Sequence, residues 1–106
     1  MESTQLEVLV AGELAKIKKP ELVDAVRALL VPPRCELRAW NYEKQNQSYR
    51  CWIILELRDS NVCIAFCEEG FGPSHPCGLL FKSGPHMDMG MNSQWYRSLE
   101  EAYLDS

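Results

Sequence analysis

The sequence predicts an α+β domain, with N-terminal helices, a mainly antiparallel sheet of three to four strands and a short C-terminal helix. Three observations carry this. Apolar residues recur at helical spacing as far as Leu30. From Arg34 the period changes to two, the pattern of half-buried strands. Most strands are then joined by loops too short to hold a crossover helix, which makes neighbouring strands antiparallel. With 106 residues the chain has length for one domain, 1–106, and not for two.

Residues 4–18 read as the first helix. Thr4 and Glu7 make a capping-box pattern, and Leu6, Leu9, Val10, Leu14 and Ile17 lie on one face. Gly12 weakens that helix. Pro20 stops it and suits the first turn of a second helix. The second helix runs to about Leu30 and buries Leu22, Val23, Val26 and Leu29. Pro32 and Pro33 end it.

In RCELRAW, Cys35, Leu37 and Ala39 alternate with Arg34, Glu36 and Arg38, which predicts a strand with its apolar set inward. Trp40 and Tyr42 close it, and NYEKQNQS reads as a polar loop. In YRCWIILELR, Tyr49, Cys51, Ile53, Leu55 and Leu57 share one face, and Arg50, Trp52, Ile54, Glu56 and Arg58 the other. A two-residue turn at Ser60–Asn61 would then pair Leu57 with Ile64 and Leu55 with Phe66. It would set Cys63 opposite Arg58 and Ala65 opposite Glu56. GLLFK predicts a fourth strand. SGPHMDMGMNSQ is irregular, and SLEEAYLDS predicts a terminal helix capped by Ser98 and Glu101, burying Leu99, Ala102 and Tyr103.

Composition narrows function. Apolar residues make up 46%, which argues for a folded globule. No apolar run approaches the roughly 20 residues that span a bilayer, and MESTQLEV lacks the basic start and apolar core of a signal peptide. The expectation is a cytoplasmic protein without membrane contact. Five cysteines, an odd number with no export signal, argue for free thiols rather than a disulfide framework. The net charge is −4, and the excess lies mainly after residue 33, where seven basic side chains face ten acidic ones. That disfavours direct nucleic-acid binding, which wants a basic face. The basic cluster Lys16, Lys18 and Lys19 suits a helix C-terminus.

The busiest stretch is CEEGFGPSHPCG, residues 67–78. Zinc thiolates need sulfurs roughly 4 Å apart, whereas Cys63 and Cys67 on one strand would have Cα atoms about 13 Å apart. Loops would let Cys67, His75, Cys77 and His86 approach one another, yet their spacing matches no short paired-ligand pattern. Cys77 and His75 flank Pro76 as a candidate Cys–His pair, but Glu68 and Glu69 would raise a thiol pKa nearby. GFGPSHPCG lacks the endings of a phosphate loop. The expectation is no enzyme, no metal and no cofactor. The acidic pair Glu68 and Glu69, next to an exposed Phe71, reads either as solvated charge or as contact for a basic partner. The large aromatics, Trp52 and Trp95 among them, outnumber what one thin core hides, so one or two are expected on the surface.

FCEEGFGPSHPCGLLF and the closing NSQWYRSLEEAYLDS, with the acidic balance, give the chain a resemblance to bacterial immunity proteins of contact-dependent inhibition and other polymorphic toxin systems. The resemblance is to a class that shares no universal motif. It implies a tight stoichiometric inhibitor that occludes the active site of a cognate toxin, often a basic nuclease. Asp59, Glu68, Glu69, Phe71, Asp88 and Trp95 are the interface expected on this reading. The alternative is a small homodimeric adaptor or regulatory domain that pairs through an edge strand such as residues 34–42. The oligomer expected is accordingly a monomer or a homodimer.

Overall fold

In the computed structural model, which describes residues 3–40, 47–69, 71–85, 87–90 and 92–106, the chain is an α+β domain. Helices α1 (Ser3–Lys16) and α2 (Pro20–Leu29) lead into strands β1 (Leu30–Trp40), β2 (Gln47–Glu56), β3 (Val62–Phe66), β4 (Cys77–Phe81) and β5 (Trp95–Tyr96). Helix α3 (Leu99–Leu104) follows. Among the described residues the strands form one antiparallel sheet in sequence order, β1-β2-β3-β4-β5. The fifth strand goes beyond the sequence expectation: it is only two residues long, too short for any period to reveal. No described helix is long and apolar enough to cross a membrane. Residues 41–46 of the polar loop, Tyr42 among them, and His86 lie outside the described set.

The helices begin and end where the local chemistry directs. Pro20 occupies the first turn of α2. Ser98 caps α3, its hydroxyl accepting from the Glu101 N–H at 3.2 Å. The α1 helix begins at Ser3, so Thr4 lies inside its first turn rather than ahead of it. A carboxylate joins two helices: Glu13 of α1 accepts from the Leu99 N–H at the start of α3, at 3.0 Å. Pro32 and Pro33 do not precede β1 but lie in it, at a register shift between Leu30 and Arg34. The edge position makes this tolerable, since no further strand asks for their missing N–H groups.

The sheet separates two cores. On one face α1, α2 and α3 cover Ile54, Leu55, Ile64, Phe66 and Cys77, with Leu6, Val10, Ile17, Val26, Leu99 and Ala102 from the helices. On the other, Cys51, Ile53, Cys63, Ala65, Cys67, Leu80, Met89 and Trp95 form a second buried cluster. It is closed by the segment that runs back from β4. The Met89 N–H donates to the Ala39 carbonyl at 3.0 Å, Asp88 bridges Ala39 in parallel, and the Trp95 indole N–H donates to the Met89 carbonyl at 2.7 Å.

Three sequence expectations are corrected here. First, the hairpin turn is longer. The Leu57 N–H donates to the Val62 carbonyl at 3.0 Å, so Arg58–Asn61 make the turn, and Leu55 pairs with Ile64 rather than Phe66. Glu56, not Arg58, faces Cys63. A two-residue turn at Ser60–Asn61 would need residues at ease with positive φ; the chain instead puts Asp59 there, at φ 60°. Second, β2 carries a bulge. Ile53 pairs with Ala65 but Leu55 with Ile64, so the extra residue Ile54 turns Leu55 to the helix side, away from Cys51 and Ile53. Third, the faces of β1 are inverted. Leu37 is 70% exposed and Cys35 exposed, while Arg38 is buried. Arg38 pairs with Tyr49 and Glu36 with Cys51, so the charged set looks toward the second core and the returning segment closes over it. The guanidinium reaches Glu36 Oε1 from Nε at 3.1 Å and from Nη2 at 2.7 Å, and its Nη1 meets Met87 Sδ at 3.6 Å.

Candidate functional site

The acidic pair sits at the end of the sheet where β3 runs out. Trp52 pairs with Phe66, so the antiparallel register carries Arg50 toward the stretch after Cys67. The result is a cleft of about 140 Å³ lined by Arg50, Trp52, Phe66, Cys67, Glu68 and Glu69. Glu68, Glu69 and Arg50 are exposed and Trp52 is half-buried. Neither carboxylate takes part in an ion pair among the described residues. The cleft therefore offers two carboxylates, one guanidinium and an aromatic flank. That set is suited by charge to cationic groups, and the Cys67 thiol lies in its wall.

Of the six residues expected at an interface, the structure brings Glu68 and Glu69 together at the cleft and Phe71 and Trp95 together in the second core, and it does not gather all six on one surface. Asp59 occupies the hairpin turn at the opposite end of β3, about 16 Å of strand away. Asp88 is half-buried; its Oδ1 accepts from the Gly90 N–H at 2.9 Å and shapes the returning segment beside Ala39. Trp95 is buried and Phe71 half-buried, their ring centroids 5.8 Å apart, so both aromatics serve the second core. Phe71, expected to be exposed, is half-buried, and Trp95, expected at the interface, is buried. Trp95 is drawn inward by Gly78, whose missing side chain leaves room for the indole, and by the Met89 carbonyl. Arg50 and Trp52 are the residues that sequence reasoning missed at this site. Only the hairpin register could have pointed to them.

The thiols divide by environment. Cys51, Cys63, Cys67 and Cys77 are buried and free, and Cys35 is free and exposed. Burial pushes the Cys77 thiol up to about 12, so it stays protonated near neutral pH. His75 lies outside that core in the loop, its Nδ1 at 3.0 Å from the Ser74 Oγ. Among the described residues no group of three or more His, Cys, Asp and Glu side chains could hold a metal ion; His86 falls outside them. The lysine cluster lines a wider cleft of about 560 Å³ between the α1–α2 junction and α3, where Glu21 and Glu100 offset Lys16, Lys18 and Lys19. No family model, curated protein or solved structure matches the chain.

Proposed function

We propose that the chain is a non-catalytic binding protein of the immunity type, which captures a basic bacterial toxin, such as a nuclease, in the cytoplasm and occludes its active site. The observation that carries this reading is the exposed Glu68–Glu69 couple, without an ion pair among the described residues, at the rim of a cleft flanked by Trp52. The net charge of −4 supports it, because acidic surface speeds encounter with a basic partner. Exposed adjacent carboxylates lose little on meeting lysine or arginine, and an aromatic flank adds apolar contact.

The test begins with purification from the native host with a mild tag. A single basic protein at one-to-one stoichiometry is the expected companion. With Glu68→Lys and Glu69→Lys combined, capture weakens at least about tenfold at low salt, read as the dissociation constant. An unchanged constant would remove this cleft from the interface.

A second reading is a homodimeric adaptor. It is favoured by β1, which is an edge strand with Leu37 70% exposed. Pro32 and Pro33 blunt one end of that edge, and the Met89–Ala39 bond covers the other. The backbone around Cys35 and Leu37 remains for a second strand. This reading expects a dimeric mass at micromolar concentration by light scattering. A monomer there sets it aside.

A further inference from the structure

We propose that Cys51 and Cys67 are a cross-strand dithiol that hydrogen peroxide closes to a disulfide within the folded protein. The register leads to the pair. Trp52 faces Phe66 across β2 and β3, so the next step outward sets Cys51 directly opposite Cys67. Both side chains point to the second core, where they are buried. The Cys67 N–H is turned the other way and donates to the Pro76 carbonyl at 2.9 Å. With respect to β2, Cys67 is thus at a non-hydrogen-bonded position. Directly opposed residues there have Cα atoms about 4.5 Å apart, the arrangement in which side chains come closest. A disulfide spans Cα separations of about 4.4–6.8 Å, so bridging asks for little backbone movement. Each thiol donates to a backbone carbonyl near its own strand end, Cys51 Sγ to Tyr49 O at 3.8 Å and Cys67 Sγ to Glu69 O at 3.6 Å.

No other cysteine is so placed. Cys63 faces Glu56 and Leu80, and four residues of strand separate it from Cys67, about 13 Å. Cys77 is in the helix-side core, and Cys35 is on the opposite face of the sheet. Cys67 also lines the cleft beside Glu68, which gives a reagent as small as peroxide a path to its sulfur. The neighbouring Cys51 thiol holds the Cys67 thiol below its ordinary range despite burial, while the same neighbour and burial push Cys51 up. Cys67 is therefore the attacking sulfur and Cys51 the resolving one.

The chemistry balances in two steps. The Cys67 thiolate attacks one peroxide oxygen; the O–O bond breaks, and the departing hydroxide takes a proton to become water. Cys67 is left as the sulfenic acid. The Cys51 sulfur then attacks the Cys67 sulfur; the S–O bond breaks, and hydroxide leaves with the Cys51 proton as a second water. Two thiols have lost two electrons and two protons, and one peroxide has become two waters. The bond ties β2 to β3 beside the acidic cleft.

The experiment uses the full chain with Cys35→Ser, which removes the exposed thiol and its exchange between molecules. Native protein is treated with hydrogen peroxide, quenched with catalase, unfolded, alkylated with N-ethylmaleimide and mapped by mass spectrometry. Cys51 and Cys67 are expected to leave the alkylated set together and appear in one linked peptide lighter by two hydrogens. Cys63 and Cys77 stay alkylated, and a thiol reductant reverses the link. In Cys35→Ser/Cys51→Ser protein, dimedone is expected to trap Cys67 as the sulfenic acid; should that variant not fold, the mapping of the Cys35→Ser protein decides alone. Four alkylated thiols after treatment, a link involving Cys63 or Cys77, or a Cys51–Cys67 link only in denaturant would overturn the proposal.

Discussion

Gly78→Ala is expected to destabilise the domain by about 3 kcal/mol, the upper end for an added methyl in a packed core. A Cβ at Gly78 would stand 2.5 Å from the Trp95 ring, far inside contact distance. The indole cannot simply move aside. It is buried, its N–H is held by the Met89 carbonyl at 2.7 Å, and Phe71 lies against it. Gly78 is itself in the middle of β4, paired with Ala65 and with Trp95, so the strand cannot retreat without breaking the ladder. For a chain of this length the thermal midpoint should fall by roughly 13 °C. Part of that loss should return in Gly78→Ala/Trp95→Phe, whose smaller ring makes room but gives up the indole hydrogen bond. A midpoint unchanged by Gly78→Ala would mean that Trp95 does not pack on β4.

The second large effect is at Glu36. Glu36→Ala takes the carboxylate from the buried Arg38 guanidinium, which keeps Met87 Sδ beside it, and should cost about 2–3 kcal/mol. The figure is below that for a wholly buried pair because the Glu36 side chain is 29% exposed. Arg38→Met should cost less than Glu36→Ala, since it removes the charge and keeps the length, while Glu36 retains Arg34 at 3.1 Å. The pair also sets an acid limit. Burial pulls the Glu36 pKa up, but the hydrogen bonds from Arg38 and Arg34 outweigh it, and the net shift is downward. A carboxylate with a depressed folded pKa stabilises the fold above its unfolded value, about 4.3, and that stability drains away as pH falls through the folded pKa. Chemical denaturation at falling pH should therefore show a steeper loss in the wild type than in Glu36→Gln. Parallel curves would sink the assignment.

How much was legible in the sequence depended on whether the deciding interaction was local. Pro20 and Ser98 act within one turn, and both helix starts can be read from them. The α+β order followed from the change of period at Arg34. The bulge at Ile54 was not legible, because Ile53, Ile54 and Leu55 are all apolar and any alternation through them fits. Nor was the facing of β1. Cys35, Leu37 and Ala39 form the better apolar stripe, but the helices do not cover it, and the Met87–Gly90 segment closes over the charged stripe instead. That choice is made by residues nearly fifty positions away, since Met87 Sδ meets Arg38 across 49 of them. The site suffered from the same distance. A two-residue turn would have set Arg50 opposite Phe71; the four-residue turn and the bulge bring it to Glu68 and build the cleft. Trp95 was misjudged because its burial depends on a glycine, and an absent side chain gives no apolar signal.

The dissociation constant of the complex with the co-purifying partner, followed as salt is raised, tests the central claim most directly. If Glu68 and Glu69 receive a basic surface, the constant for the wild type rises with salt, and the Glu68→Lys/Glu69→Lys protein starts at least about tenfold weaker with a flatter dependence. A constant indifferent to salt and equal for the two proteins would contradict capture through the acidic cleft.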